Sequence, residues 1–253
     1  MRISLSVIVF LLIIPALIAQ VQEEENASSA IPYFYGFYGY QWPGGEIKNQ
    51  FGSNSTVGGG FSVKTKSGLL IGAEYDFIFG SNVKNGIEIF KYLITSDGNI
   101  ISGDGTPAVV ATFERGNTVG IKFGKLIPVL KHNSNSGIFF TLGGGYMMHK
   151  IKIEVENEGA PQLKGDYKRG YDRLSGGFML NQAVGFMFFS KSGLANFTVS
   201  VEAFEGWNKP YRDYYFDTMA PPEQGNQFDF LIGPKISWMI PISGRNIGKY
   251  YYY

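Results

Sequence analysis

Apolar and polar residues alternate along most of this chain with a period of two, which is the periodicity of β-strands. In segment 69–80 the odd positions are apolar, whereas the even positions include Glu74 and Asp76. Segment 57–64 alternates in the same way, and residues 66–68 form a turn-like sequence between the two. These segments are therefore predicted to form a β-hairpin with one apolar and one polar face.

The same alternation recurs to the end of the chain, and one further strand is needed to keep the strand count even. The predicted strands are 31–42, 57–64, 69–80, 119–124, 138–149, 178–189, 197–207 and 228–240. Segment 31–42 alternates poorly, because Tyr33, Phe34 and Tyr35 put aromatic rings on both faces. It is assigned as the first strand because the chain must begin and end on the same side of the barrel.

The connections between these strands alternate in length. Short links near 66–68, 131–136 and 190–194 alternate with long ones near 43–55, 80–116, 154–175 and 208–226. Bacterial membrane barrels share this asymmetry. The sequence therefore predicts an all-β fold, an eight-stranded antiparallel up-and-down transmembrane β-barrel with short periplasmic turns and long outer loops. A soluble β-sandwich or lipocalin-like barrel is the alternative.

The N-terminus differs from the rest of the chain, because Arg2 precedes an apolar run that ends at Ala19. A run of this length that ends on a small residue indicates a signal peptide over residues 1–19, with an uncleaved membrane anchor as the alternative. We expect a flexible acidic segment at 20–30, the barrel at 31–242 and a tyrosine-rich tail at 243–253.

The composition excludes several classes of function. The chain has no cysteine, so it forms no disulfide and no thiolate metal site. Removing Arg2 from the 22 basic residues leaves 21, which equals the 21 acidic residues. No net charge then attracts nucleic acid. We expect no cofactor, no metal and no nucleic-acid partner, with outer-membrane lipid as the surroundings of the barrel.

The polar faces of the strands carry seven charged residues that we expect inside the barrel: Lys64, Glu74, Asp76, Lys122, Glu202, Asp229 and Lys235. An eight-stranded barrel is just wide enough for side chains to fill its interior. Buried charges must be paired, because an isolated one is very costly. A linked ion-pair network that fills the lumen is predicted, and a selective conduit or proton path is the alternative.

The predicted outer loops are rich in the residue types that anchor binding surfaces. The candidate partner-binding residues are Tyr167, Arg169, Tyr171, Arg173, Trp207, Tyr211, Arg212 and Tyr214. The alternative is an extension of the aromatic girdle with solvated charges. In the longest loop, Ile87, Phe90 and Ile94 recur at helical spacing and predict a short amphipathic helix.

Candidate catalytic residues are few. His149 lies near the outer rim, where Ser175 and Asp172 are possible partners for it. The chain has no GxSxG, no metal-ligand spacing and no phosphate-binding loop. We therefore predict no catalytic residues and a protein that is not an enzyme.

Three segments carry a resemblance to a known group: 41–45 (QWPGG), 165–174 (GDYKRGYDRL) and 238–242 (WMIPI). In these the chain resembles the small eight-stranded outer-membrane barrel proteins of Bacteroidota. The resemblance implies an integral outer-membrane location but no common activity. Asp217-Thr218-Met219 also resembles the short site at which Bacteroidota O-glycosylate exported proteins, which makes Thr218 a candidate. One departure is that Tyr253 lies beyond a basic extension rather than within the last strand.

Two functions remain open from the sequence. The first is a non-enzymatic structural or accessory subunit that docks on another envelope component through its loops, tail or wall. The second is a narrow channel for small or hydrophobic molecules, which requires an open lumen or a gap in the wall.

Overall fold

The computed structural model describes residues 30–242 except 85, 132, 157–158, 191–194 and 224. The predicted signal peptide, nearly all of the 20–30 segment and the 243–253 tail lie outside the described residues. The strands are β1 (Ile31–Gly45), β2 (Asn54–Lys64), β3 (Leu69–Gly80), β4 (Ile100–Ile101), β5 (Pro107–Ala108), β6 (Val110–Pro128), β7 (Gly137–Val155), β8 (Ser175–Phe188), β9 (Phe197–Pro210) and β10 (Gln227–Pro241).

All strands except β4 and β5 form one closed barrel in the order β1-β10-β9-β8-β7-β6-β3-β2. Neighbouring strands are antiparallel, and the ring closes where β1 pairs with β10, for example Gly36 with Trp238. This confirms the predicted eight-stranded up-and-down barrel and differs from a sandwich of two packed sheets. β4 and β5 form a separate two-stranded sheet in the longest connection. No helix in the described part of the chain is long and apolar enough to span a membrane.

The outward face of the barrel is an apolar belt. On β7 the outward residues from Ile138 to Met148 are apolar or glycine, and charged side chains begin at Lys150. Ten residues of a strand tilted by about 40° span about 25 Å, the height of the apolar band on membrane barrels. Tyr75, Phe178 and Trp207 lie toward the long-loop end of this belt, and Trp238 lies toward the short-turn end.

The sequence of β1 alternates poorly because this strand carries aromatic residues on both of its faces. Its inward residues Tyr33 and Phe37 are buried, whereas Phe34 and Trp42 are more than half exposed on the outer face. Opposite the inward rings of Tyr35 and Phe37, β2 has the inward glycines Gly60 and Gly58. A Cβ on Gly58 would stand 2.5 Å from Phe37 Cζ, so a larger residue at position 58 would displace this ring.

The long connections pack together as a cap at one end of the barrel. Phe51, Phe90, Leu163 and Tyr171 come from three different loops, and all four belong to one buried apolar cluster that also includes inward residues of the barrel. The predicted amphipathic helix is wrong. A single 3-10 turn at Glu88–Phe90 takes its place, because Phe90 is drawn into the cap while Ile87 stays 66% exposed.

We expect Phe51→Ala to loosen the cap, because the Phe51 side chain is fully buried. Truncating a buried Phe typically costs about 3 to 5 kcal/mol. Protease digestion of the folded protein should therefore cleave the 81–109 connection much faster in this variant. The control is Ile87→Ala, an exposed residue of the 81–109 connection itself, and this variant should be digested like the unaltered protein. Equal digestion of the two variants would contradict the packed cap.

Candidate functional site

A cluster of charged side chains crosses the middle of the lumen, and two lysines bridge three carboxylates. Lys122 Nζ lies 2.5 Å from Oε1 of Glu74 and 2.5 Å from Oε1 of Glu202. Lys235 Nζ lies 2.7 Å from Glu74 Oε1, 2.9 Å from Glu202 Oε2 and 4.0 Å from Asp76 Oδ1. We call these five residues the lumen network.

Neutral side chains supply further hydrogen bonds to the same carboxylates. Tyr35 donates to Glu74 at 2.9 Å, Thr118 to Asp76 at 2.6 Å, and Asn181 to Glu202 at 2.9 Å. Lys235 Nζ also lies 3.6 Å from the centre of the Phe37 ring. Every member of the lumen network therefore has a partner inside the barrel, which offsets much of the cost of burying charge.

The strand register shows why these long side chains fit in so narrow a bore. Each member of the lumen network lies directly opposite a glycine on a neighbouring strand. The pairs are Glu74 with Gly60 and Gly120, Asp76 with Gly58, Lys122 with Gly72 and Gly143, Glu202 with Gly233, and Lys235 with Gly39. Because cross-strand partners point to the same side of the sheet, these glycines leave interior space for the charged chains.

Two residues predicted for the network lie at other levels of the barrel. Asp229 is close to the cap, where it accepts hydrogen bonds from Asn208 at 2.6 Å and from His149 at 2.9 Å. Its predicted pairing with the lysines is therefore wrong, because strand stagger places it above them. Lys64 is buried at the short-turn end, and its Nζ donates to the Thr65 carbonyl at 3.4 Å.

The carboxylate oxygens of Glu74, Asp76 and Glu202 lie within 4.8 Å of one another, close enough to share a cation. The ammonium groups of Lys122 and Lys235 already bind these carboxylates. The chain itself thus supplies the positive charge that a metal ion would bring to the cluster.

The candidate catalytic residues do not assemble into a nucleophile and base. His149 Nε2 bonds to Asp229, and its ring packs edge-on against Phe51. The Ser175 hydroxyl donates to the Arg173 carbonyl, and the Asp172 carboxylate is bound by Arg212. His149 thus serves as an interior contact between the barrel and its cap.

Several predicted partner-binding residues are engaged within the protein instead. Tyr171 is 5% exposed and packs against Phe90 and Phe216 in the cap, and burial raises the pKa of its phenol. Trp207, the last residue of its predicted strand, lies within β9, which continues to Pro210 and presents this ring on the outer wall beside Phe178. This position agrees with the alternative of an aromatic girdle. For Tyr171 the prediction of an exposed binding loop is wrong.

The two loop arginines nearest the barrel hold the cap together. Arg212 donates two hydrogen bonds to Asp172, at 2.8 and 2.5 Å, and these bonds raise the pKa of its guanidinium. Arg173 pairs with Asp217, which is buried. Both pairs join the 156–174 connection to the 211–226 connection, so these arginines fix loop geometry.

Other predicted loop residues remain on the surface. Tyr167 is 63% exposed, Tyr211 and Tyr214 are each more than 40% exposed, and Arg169 forms an exposed pair with Asp166. Thr218 is exposed in the turn between Tyr215 and Ala220. Its O-glycosylation stays a prediction.

The sequence-based prediction did not include a polar pair on the outer wall. Glu205 has the same strand parity as Val201 and Trp207 and therefore lies on the outward side of β9. It accepts a hydrogen bond from Gln182 of β8 at 3.4 Å, and its Oε2 atom has no hydrogen-bond partner among the described residues. The sequence does indicate this pair, because Glu205 is a carboxylate at a position that shares its strand face with apolar residues.

No family model and no curated protein matches this sequence. Among solved structures, Neisserial surface protein A (NspA) matches with a TM-score of 0.41 and 11% identity, over 84% of this chain and 98% of that chain. Ail, the attachment invasion locus protein of Yersinia pestis, in complex with the heparin analogue sucrose octasulfate, matches with a TM-score of 0.37 and 8% identity, over 83% of this chain and 99% of that one. At these identities the function must be argued from the residues of this chain.

We expect Lys122→Ala to destabilise the folded barrel strongly, because it leaves Glu74 and Glu202 with one ammonium partner fewer. Breaking a buried ion pair typically costs about 3 to 5 kcal/mol. Lys66→Ala, in an exposed turn, is the control and should change the free energy of unfolding by about 0 to 1 kcal/mol. Urea unfolding in lipid bilayers measures both values, and coinciding midpoints would contradict a paired lumen network.

Proposed function

We propose that this chain is an integral outer-membrane barrel and a non-enzymatic structural or accessory subunit. In this proposal it docks on another envelope protein through its membrane-facing wall. The proposal includes the kinship with Bacteroidota barrels predicted from the sequence. The observation that carries it is the polar pair Glu205 and Gln182 on an otherwise apolar wall.

The filled lumen supports a structural role. On the cap side of the lumen network, Met147, Met179, Phe204 and Leu231 are each at most 2% exposed. These side chains fill the bore between the network and the cap. A solute would have to displace both the apolar layer and the ion pairs to pass.

The outer wall supports docking. Glu205 pairs in register with Leu180 on one side and Phe230 on the other, so its carboxyl group lies among residues of the apolar belt. An ionisable group at membrane depth is costly and generally has a function. Glu205 is 2% exposed and its Oε2 atom is covered, so a membrane-embedded partner would have to displace neighbouring wall side chains before it donates a hydrogen bond to this oxygen. Acyl chains have no hydrogen-bond donor to offer.

A narrow channel is the second candidate, and a cavity favours it. A cavity of about 60 Å³ lies on the short-turn side of the lumen network, where Ser62, Thr141 and Ser200 line it with hydroxyl groups. This half of the lumen holds room for water. Conduction would require the ion pairs and the apolar layer above them to move apart.

Docking can be tested with a photo-crosslinking amino acid placed at Gln182 in native membranes. We expect a crosslink to one stoichiometric envelope protein, and this crosslink should disappear in the Glu205→Leu variant. A probe at Ile121, outward-facing on β6 and 55% exposed, is the matched control and should capture only lipid. Lipid adducts alone at both positions would overturn the proposed docking.

Glu205→Leu also separates docking from folding. Removing a carboxylate from the outward side of the apolar wall should leave the free energy of unfolding of the isolated barrel unchanged or raise it by about 1 to 2 kcal/mol. The variant should therefore fold in bilayers as well as the unaltered protein while it loses its companion. A large loss of stability would show instead that Glu205 serves the barrel itself.

The channel is tested by planar-bilayer recording. We expect the purified barrel to be electrically silent across voltages and salt concentrations, because the lumen network and the apolar layer both block the bore. Discrete, reproducible conductance steps would favour the channel over the accessory subunit.

A further inference from the structure

The outer wall changes abruptly from apolar to basic above its row of aromatic side chains. This row consists of Tyr75, Tyr146, Phe178 and Trp207, with Val119 between Tyr75 and Tyr146, and its members pair in register around the barrel. Above it, the first charged outward residue is Arg115 on β6, Lys150 on β7 and Lys209 on β9. All three are basic, and we call them the rim cluster.

Arg115 and Lys150 lie directly opposite each other on β6 and β7. Cross-strand partners have their Cβ atoms about 5 Å apart, and like charges at this distance repel. Arg115 stacks over the Phe113 ring and donates to the Glu114 carbonyl. Lys150 and Lys209 form no ion pair within the described residues, and the nearby Glu154 is engaged by Lys152 at 2.6 Å. Glu154 also interacts electrostatically with Arg115, but neither Arg115 nor Lys150 forms an ion pair with a carboxylate within the described residues.

The position of the rim cluster limits what can bind there. Its side chains point outward from the wall, below the folded loops and just above the exposed apolar residues Val119, Tyr146 and Phe178. In a membrane this level is where lipid headgroups meet the acyl chains. Near the cap, β1, β2 and β3 present outward aromatic or hydroxyl side chains such as Trp42, Ser55 and Phe79, and Phe79 is the cross-strand partner of Arg115.

We propose that the rim cluster binds the phosphate groups of anionic lipids in the leaflet on the cap side. This inference rests on the proposed membrane location. Arg115 and Lys150 clamp one phosphate between them, since guanidinium and ammonium groups donate charge-assisted hydrogen bonds to phosphate oxygens. Lys209 lies two strands away from Lys150, about 12 Å at the usual strand spacing and rise, and binds a second phosphate. The acyl chains of the same lipids cover Val119, Tyr146 and Phe178.

The structure offers a built-in reporter, because Trp207 lies two residues before Lys209 on the same face of β9. A variant with Trp42→Phe and Trp238→Phe keeps Trp207 as the single tryptophan of the chain. The test reconstitutes this variant in phosphatidylcholine vesicles that contain phosphatidic acid. Bromine atoms, which quench tryptophan fluorescence, are placed either on the phosphatidic acid or on the phosphatidylcholine.

We expect brominated phosphatidic acid to quench Trp207 more strongly than its share of the membrane predicts. Each basic residue replaced by Gln in the rim cluster should lower the relative affinity for phosphatidic acid about fivefold. In the control variant, Lys168 and Arg169 of the cap are replaced by Gln, and this variant should keep the preference for phosphatidic acid over phosphatidylcholine. Heat-modified gel migration checks that every variant is folded.

The outcomes separate the two proposals. Failure of the unaltered barrel to insert into either kind of vesicle would overturn the membrane location itself. Insertion with quenching that follows bulk lipid composition would overturn the rim cluster alone. Loss of the preference when inorganic phosphate is added would show a site for a free anion, which also overturns a lipid site.

Discussion

The narrow bore of an eight-stranded ring is the constraint on which the rest of this structure depends. Such a ring leaves space for few side chains, so each large inward residue needs a small one beside it. The chain meets this requirement with glycines opposite the charged residues of the lumen network and opposite the aromatic rings of β1. The abundance of glycine, the filled interior and the pairing of charges within the lumen network are consequences of the same geometry.

The fold was predictable because strand periodicity and loop lengths are local properties of the sequence. All eight barrel strands were recognised, and even the irregular β1 occupies its predicted place. The inward side of the charged residues also followed from alternation. What did not follow was their depth, because depth depends on the stagger between strands. For this reason Asp229 was grouped with Lys122 although it lies near the cap with His149.

The loops were less predictable, because their burial arises from contacts between segments distant in sequence. Tyr171 has the composition of a binding loop around it, yet Phe90 and Phe216 bury its ring. Trp207 was grouped with the loop residues although it ends a predicted strand, because strand ends are weakly marked in sequence. Glu205 was overlooked for a different reason: a single carboxylate in an apolar row changes the average pattern very little, although its position on the wall is unusual.

The lumen network joins residues that are far apart in the chain, and this bears on the order in which the barrel is built. Lys235 reaches Glu74 across 161 residues and is supplied by the last strand, β10. Before β10 docks, Glu74, Asp76 and Glu202 have Lys122 as their one ammonium partner in the network. A barrel lacking its final strand would thus hold excess negative charge in a low-dielectric interior. Seam closure between β1 and β10 is therefore coupled to charge neutralisation, which disfavours a half-assembled barrel.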